Sequence, residues 1–364
     1  MRATSISTSV ELGLRFVGIW PGLPYGTTIW LAYMTSLVFA LYFQYAYIFG
    51  HFDVSNISNL IDALSITLAY SLGFLKLISL WLNRRIFYDI LLAMEEDWGN
   101  IGVYDKSVSY AMASNADLSR RCSNVLISIN AMAAISYSTS SLLRRTADLR
   151  EDLNASSRVL PIKMEFPFEA DASPLFELLA VLHASGQIDI LRRELLTICG
   201  DGSSQRDSIV TSVKLLINRH QRIIMFSGNI EELYSDIALM QFLSNTVVIC
   251  CIGFSIIASL AKDGATVVML KSAIFYVAVT LEAFIFCFTG EYLSAKSKSI
   301  GDAVYEALWY NMTPAECRIL LFVILRSQKR LTITAGNVMD LSLVGFTSVM
   351  KASASYMSVL HAMY

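Results

Sequence analysis

The stretch TTIWLAYMTSLVFALYFQYAYIF, residues 27–49, contains no charged side chain and is long enough to cross a bilayer as a single helix. A helix rises about 1.5 Å per residue, so roughly 20 apolar residues are needed to traverse the ~30 Å hydrocarbon core. Trp30 and Tyr47 stand near the two ends, where interfacial aromatic residues are expected. This stretch alone predicts a helical membrane protein.

The composition of the whole chain supports the same fold class. Of its 364 residues 55% are hydrophobic and 16% are charged, and the mean hydropathy is +0.52. Soluble domains carry about 25% charged residues, so this chain lacks the polar surface that a soluble protein needs. We therefore predict an all-α, polytopic helical membrane protein.

Composition and motifs also exclude several functions. The net charge of −2 gives no indication of nucleic-acid binding. The six cysteines are scattered without metal-ligand spacing, and the chain shows no phosphate loop, nucleophile elbow or carboxylate pair at catalytic spacing. We expect neither enzymatic activity nor a metal or other cofactor.

Five further apolar runs are long enough to span the membrane. The run at 122–143 is the weakest because it is rich in serine, and Lys76 lies close enough to the end of its span for its amine to snorkel to the interface. The apolar core of SPLFELLAVLHASG, residues 173–186, reaches only about half the ~20 residues required. We interpret 174–185 as a truncated span. The five full runs are 57–82, 122–143, 240–261, 268–290 and 339–363.

The distribution of lysine and arginine predicts the orientation. Residues 50–56 contain neither and are predicted to lie outside, whereas 83–121 and 291–338 are rich in both and are predicted to lie inside, with a cytoplasmic N-terminus. An even number of spans must separate the two inside segments, but only three runs are found. One more crossing near 174–185 is the simplest way to make the number of spans even. Alternatively, the serine-rich run does not cross, or everything after it is inverted.

Particular motifs then become recognisable, and the chain resembles the insect odorant receptors, especially the expansions in ants, bees and wasps. The resemblance extends along nearly the whole chain and is most specific in the C-terminal third. The motifs are GIWP at 18–21, NRHQRIIMFSGNIEELYSDIALMQFLSNTVVICCIGF at 218–254, GEYLSAKSKSIGDAVYEALWYNM at 290–312 and RSQKRLTITAGNVMDLSLVGFTSVMKASASYMSVL at 326–360.

The resemblance gives residues 173–186 a second interpretation. Family members have seven membrane helices, and the fourth begins with a motif close to SP-x-Y-E-L and is followed by one close to G-Q-L-E-I-L. Here SPLFEL at 173–178 is followed almost directly by GQIDIL at 186–191. This looks like an internal deletion of about one span. We therefore expect irregular or strained structure between residues 144 and 192, and an odorant pocket that lacks one wall.

The resemblance also implies a mechanism. The family forms odorant-gated, non-selective cation channels of four subunits in the plasma membrane of olfactory sensory neurons, where a tuning receptor acts with a shared co-receptor. The end of the last helix lines the pore, and Val359 aligns with the family's hydrophobic gate. Leu360 and Ser355 are predicted beside it, and Lys351 is an ionisable residue within the span. Expected partners are a small volatile odorant, the co-receptor and membrane lipids.

The odorant pocket is expected to have aromatic and aliphatic walls. Tyr70 and Phe74 lie one turn apart on the second span, Tyr137 lies on the third, and Phe275 and Tyr276 lie on the run at 268–290. Ordinary packing or lipid contact is the alternative interpretation for each of them. Other functions also stay open: a non-conducting receptor-like protein without a fourth helix, a gustatory receptor, or a G-protein-coupled receptor with an outside N-terminus.

The sequon Asn154-Ala155-Ser156 tests the predicted topology, because it follows the third span in a segment predicted to lie outside. We expect the chain expressed in insect cells to carry one glycan that Asn154→Gln removes. A glycosidase-sensitive gel shift measures this. A glycan unaffected by this substitution, or its absence from protein at the cell surface, would contradict the predicted orientation of residues 144–172.

Overall fold

A computed structural model describes residues 8–50, 57–100, 106–151, 172–197, 206–260 and 266–363. Over these residues the fold is helical apart from one small hairpin and connecting turns, and a single 3-10 turn lies at Trp309–Asn311. The elements are α1 Thr8–Val17, α2 Gly26–Gly50, α3 Ile57–Leu82, α4 Arg84–Asn100, α5 Lys106–Glu151, α6 Ala172–Thr197, α7 Arg206–Leu260, α8 Thr266–Glu306, α9 Pro314–Gln328, β1 Thr334–Ala335, β2 Met339–Asp340 and α10 Leu343–Met363.

The predicted membrane spans correspond to helices. Within the described residues, four helical segments are long and apolar enough to cross a membrane: Gly26–Gly50, Ala63–Leu82, Thr211–Ala258 and Met269–Glu306. The first two match the predicted spans closely. Helices α5 and α10 fall short of that composition, because serines dilute the former and polar residues the latter. The chain is a multi-pass helical membrane protein.

Three helices are much longer than a bilayer is thick. Helices α5, α7 and α8 contain 46, 55 and 41 residues. At about 1.5 Å per residue they extend roughly 69, 82 and 61 Å, against a hydrocarbon core of ~30 Å. The predicted spans 122–143, 240–261 and 268–290 are therefore only segments of continuous helices. Apolar-run counting found the membrane part and missed the polar extensions.

Helix α6 differs from the sequence-based expectation. From Ala172 to Thr197 it is one regular helix that continues through Gly186, so the expected irregular structure was wrong for these residues. Residues 175–186 are all buried. The Phe176 ring lies 4.6 Å from that of Phe87 and 6.4 Å from that of Tyr234, between ring centroids. An apolar stretch that is too short to cross a bilayer is long enough for a helix buried in protein.

The position of α6 follows from these contacts. Phe87 lies beyond the end of the predicted span 57–82, and Tyr234 lies before the start of the predicted span 240–261. Phe87 lies in the segment 83–121, which is predicted to be inside. The first turns of α6 therefore pack among the extensions of the membrane helices.

Ion pairs connect α6 to three neighbouring helices. His183 Nε2 lies 3.0 Å from Asp97 Oδ2 on α4, and the Lys296 Nζ of α8 lies 2.6 Å from Asp189 Oδ1. Arg219 NH1 of α7 donates to Glu194 Oε1 at 2.7 Å. Burial raises the pKa of the Glu194 carboxyl, and Arg219 opposes this shift. Since α6 is buried on nearly every side, these pairs make its polar positions compatible with an interior location.

A buried ion pair joins α3 to α8. The Lys76 ammonium lies 3.0 Å from Glu282 Oε1, and the Lys76 side chain is 1% exposed. The prediction that Lys76 snorkels to the interface was therefore wrong. Its amine is instead satisfied by a carboxylate on a helix more than 200 positions away in sequence, which the sequence alone did not reveal.

The C-terminal hairpin positions the last helix. Strand β1 pairs antiparallel with β2, and the turn between them places Gly336 and Asn337 at φ +59° and +56°. Left-handed backbone of this kind favours Gly and Asn. Met339 and Asp340 belong to β2, so the predicted last span of 339–363 begins too early and α10 starts at Leu343. The apolar run continues across the turn, which hides this boundary in the sequence.

Glu231 of α7 holds the hairpin in place. Its carboxylate accepts hydrogen bonds from the Thr334 backbone N–H at 2.7 Å and from the Thr334 hydroxyl. The Gly336 N–H donates to the Ser235 carbonyl at 2.9 Å. On the α8 side a Cβ at Gly290 would overlap the Leu341 carbonyl, so glycine there permits the close approach. The hairpin is thus fixed between α7 and α8.

Glu177 contrasts with Glu231. It is 1% exposed on α6, and neither of its carboxylate oxygens has a hydrogen-bond partner. The buried Tyr234 hydroxyl nearby also has none. An unsatisfied buried carboxyl costs stability, whereas one that accepts two hydrogen bonds contributes to it.

The two glutamates therefore predict opposite effects of one substitution. We expect Glu177→Leu to stabilise the protein by about 1–3 kcal/mol and Glu231→Leu to destabilise it by a similar amount. Thermal unfolding of the detergent-solubilised protein, followed by size-exclusion chromatography, measures both. A lower melting temperature for Glu177→Leu would show that its carboxyl makes a stabilising interaction.

Candidate pore face and ligand pocket

Helix α10 has a packed face. Val349 and Ser353 are buried, and the Ser353 hydroxyl donates to the Thr246 carbonyl of α7 at 3.1 Å. Met357 and Leu360 pack against a small buried cluster formed by Ile61, Cys251, Phe254 and Ala258. Close approach to Met357 needs a glycine at position 253, because a Cβ there would overlap the Met357 sulfur. The inner face of α10 is therefore held against α3 and α7.

The opposite face of α10 is exposed in the single chain. Lys351, Ser355 and Val359 are all exposed and follow at intervals of four residues, which places them in one stripe along the helix. Val359 is 57% exposed. Three of the four residues predicted for the pore thus share one surface. Leu360, the fourth, lies on the packed face.

Two amide side chains lie close to the packed face of α10. Gln241 Nε2 donates to Asn245 Oδ1 at 2.7 Å, while Gln241 Oε1 and Asn245 Nδ2 have no hydrogen-bond partner. They border a crevice between α7, α8 and α10 that is too narrow to hold a water molecule. Sequence reasoning missed this site, although two amides one turn apart in an apolar span were a usable signal. The other lining residues are Phe242, Ala283, Phe286, Cys287, Phe346 and Val349.

The predicted ligand residues lie on two helices of one hydrophobic cluster. Phe275 is buried in this cluster, and Tyr70, Phe74 and Tyr276 are partly buried against it. The side chain of Tyr137, on α5, lies outside the described residues. The four described aromatic side chains thus pack within or against one buried cluster.

The helices that carry these aromatic residues run in the same direction. Ile61 near the start of α3 packs with Phe254 near the end of α7, and Phe286 of α8 borders the same space as Gln241 of α7. Both α3 and α8 are therefore antiparallel to α7. The Lys76–Glu282 pair lies six residues beyond Tyr70 on one helix and six beyond Tyr276 on the other. The two tyrosines consequently lie at one level, about 9 Å from the ion pair.

Comparison with known proteins agrees with this architecture. A sequence model described as "7tm Odorant receptor" matches residues 174–354. Odorant receptor 13a of Drosophila melanogaster is 24% identical over 335 residues, which are 80% of this chain and 77% of the relative. The chain belongs to the insect odorant receptor family.

Further matches define how far the likeness extends. Odorant receptor 10 of Aedes albopictus is 31% identical over 179 residues, so the alignment spans 49% of this odorant receptor and 47% of that relative. The solved structure of the olfactory receptor OR5 from Machilis hrabei, in complex with eugenol, superposes with a TM-score of 0.77 at 13% identity. It covers 98% of this chain and 97% of that chain, so the shared fold includes the N-terminal helices as well.

The sequence likeness is concentrated in the second half of the odorant receptor. The family match begins at residue 174, in the first turn of α6, and ends within α10. It therefore includes the Asp189–Lys296 and Glu194–Arg219 ion pairs, the Glu231–Thr334 contact and the Ser353–Thr246 hydrogen bond of α10, but not Asp97, Met357 or Leu360. It excludes the aromatic residues Tyr70 and Phe74 on α3.

Proposed function

We propose that the protein is an odorant-gated, non-selective cation channel subunit that acts with a shared co-receptor in the plasma membrane of olfactory sensory neurons, with its N-terminus in the cytoplasm. The observation that carries this proposal is the exposed stripe of Lys351, Ser355 and Val359 on a helix whose opposite face is firmly packed. A stripe of this kind, in a family of odorant receptors, suits the wall of a pore between subunits.

Each residue of the stripe has a distinct part in a pore. Val359 forms the hydrophobic constriction, which blocks ions by excluding water from a narrow apolar ring. Ser355 lies one turn earlier on the helix, and its hydroxyl faces the water-filled part of the pore. Lys351 contributes a positive charge nearer the cytoplasmic end of the helix. Leu360 supports the gate from behind, because its side chain packs against the buried cluster that contains Phe254 of α7.

The odorant contacts the aromatic residues between α3 and α8. Tyr70, Phe74, Phe275 and Tyr276 provide apolar surface, with Tyr137 of α5 as a further contact, and the tyrosine hydroxyls provide a few polar groups. Because these side chains are packed in the unliganded chain, the ligand selects a conformation in which α3 and α8 separate above the Lys76–Glu282 pair. The complex of a structural relative with eugenol supports a small-molecule ligand for this fold.

Cysteine accessibility tests the pore assignment. We expect a small water-soluble thiol reagent to modify Val359→Cys in the open channel co-expressed with the co-receptor, and to modify the neighbouring Leu360→Cys far more slowly. A lipid-facing residue 359 would remain unreactive, because the reactive thiolate forms in water. The readout is the loss of odorant-evoked current, with the unsubstituted receptor as control. Equal reactivity at the two positions would refute the assignment of faces.

Odorant-evoked current tests the function itself. We expect currents only on co-expression with the co-receptor, and an increase of about tenfold or more in half-maximal odorant concentration for Tyr70→Ala or Phe275→Ala, because each removes apolar contact area. Val277→Ala is the matched control, since Val277 lies on the same helix and is 54% exposed. Silence across a broad odorant panel, despite delivery to the cell surface, would reject the proposal.

A second candidate is a receptor-like subunit that reaches the membrane without responding. The packing of α6 against Phe87 and Tyr234 favours it, because both rings lie outside the predicted membrane spans. Insertion of the missing part of the fourth helix, about 20 apolar residues between Leu178 and Gly186, would then convert a silent receptor into a responsive one. Responses from the natural chain would exclude this candidate.

A further inference from the structure

A cavity of about 430 Å³ opens between the start of α5, the second half of α6 and α8. It is separate from the predicted odorant contacts and from the exposed stripe of α10. Its volume falls in the range of ligand pockets, about 300–1,000 Å³. The lining residues are Tyr110, Ser114, Asn115, Leu118, Asp189, Arg192, Arg193, Leu196, Tyr292 and Lys296.

The lining is positively charged. Three cations, Arg192, Arg193 and Lys296, face one carboxylate, Asp189, so the wall has two positive charges in excess. Lys296 is neutralised by Asp189, since its Nζ lies 2.6 and 2.8 Å from the two carboxylate oxygens. Arg192 and Arg193 supply the other two positive charges of the wall. Guanidinium groups bind phosphate oxygens in a bidentate geometry, and Nε is one of the donors they use.

The Arg192 guanidinium has an unused donor. Its Nε is buried and has no hydrogen-bond partner. A buried donor without an acceptor is unfavourable, and an incoming anion would supply the missing acceptor. The Asn115 amide and the Ser114 hydroxyl add neutral groups to the same wall. The cavity therefore has the donors for an anionic group and lacks the acceptor.

The rim of the cavity is apolar. Tyr110, Leu118 and Leu196 are 72%, 40% and 38% exposed. A soluble anion would leave these apolar side chains exposed to water, whereas the acyl chains of a lipid would cover them. The combination of a cationic interior and an apolar rim therefore favours an amphiphile.

The depth of the cavity agrees with a lipid headgroup. Leu118 lies four residues before the predicted span 122–143, and Tyr292 lies two residues after the predicted span 268–290. These offsets correspond to about 6 and 3 Å, whereas the headgroup layer extends roughly 5–8 Å beyond the hydrocarbon on each side. Both positions are on the predicted inside. Basic pockets at this level on the cytoplasmic side bind anionic lipid headgroups.

We propose that this cavity binds the phosphorylated headgroup of an anionic lipid from the cytoplasmic leaflet. Arg192 and Arg193 bind the phosphate oxygens, Asn115 and Ser114 contact the remaining headgroup hydroxyls, and the apolar rim receives the first part of the acyl chains. A bound lipid would link α5, α6 and α8 at one level. The site would thus stabilise α6 against its neighbours.

Lipid retention tests the proposal. The full-length chain is purified from vesicles of phosphatidylcholine with a minor fraction of phosphatidylinositol bisphosphate, and the co-purified lipid is quantified by mass spectrometry. We expect Arg192→Gln/Arg193→Gln to retain at least about tenfold less phosphatidylinositol bisphosphate than the unsubstituted chain. Arg120→Gln/Lys298→Gln is the matched control, since it removes two exposed charges from α5 and α8 outside the cavity.

Two further measurements separate loss of lipid binding from loss of folding and identify the source of the bound phosphate. Arg193→Gln alone changes only an exposed side chain, so it reports binding even when the double variant fails to fold. Soluble inositol trisphosphate, added as competitor, distinguishes the source of the phosphate, and we expect it to displace the lipid poorly. Equal losses in the cavity and control variants would indicate non-specific attraction. The proposal would be overturned by such equal losses. It would also be overturned if the soluble competitor displaced the lipid at equal concentration, or if the unsubstituted chain retained no lipid.

Discussion

The thickness of the bilayer is the constraint on which the rest of this structure depends. The hydrocarbon core accommodates about 20 helical residues, yet α7 alone contains 55. The excess length must be packed outside the hydrocarbon, where polar side chains are allowed. The α6 ion pairs, Asp97–His183, Asp189–Lys296 and Glu194–Arg219, lie in that layer. The helix extensions thus form a second packed core outside the hydrocarbon. A protein with short spans and loose loops would lack such a core.

Helix α7 connects this second core to the last helix. Near its middle, Glu231 and Ser235 hold the hairpin, and further along Thr246 accepts the hydrogen bond from Ser353. A movement of α7 is therefore transmitted to α10 both at its start and on its packed face. These contacts connect the proposed ligand site between α3 and α8 to the exposed stripe, because α3 and α8 both pack on α7 as well.

Much of the fold and part of the site could be predicted from the sequence. The predicted spans 27–49 and 57–82 coincide within a residue with helices α2 and α3, since uninterrupted hydrophobicity is a local property. Lys351, Ser355 and Val359 share a stripe because helical periodicity determines it. In contrast, Lys76 was placed at the interface and lies buried against Glu282. Met339 was placed in a helix and lies in a strand. Irregular structure was expected between residues 144 and 192, whereas residues 172–192 belong to the regular helix α6.

The sequence by itself determined the membrane class, the principal helices and, through its motifs, the odorant receptor family. These follow from hydrophobic length, helical period and local residue patterns, which do not require knowledge of partners. Only the tertiary structure decided that α6 is buried among the polar extensions, that Lys76 meets Glu282, and that Leu360 faces away from Val359. It alone brought Arg192, Arg193 and Asn115 to one cavity. The reason is physical: burial and pairing depend on which distant side chain occupies the neighbouring space, and helix packing determines that.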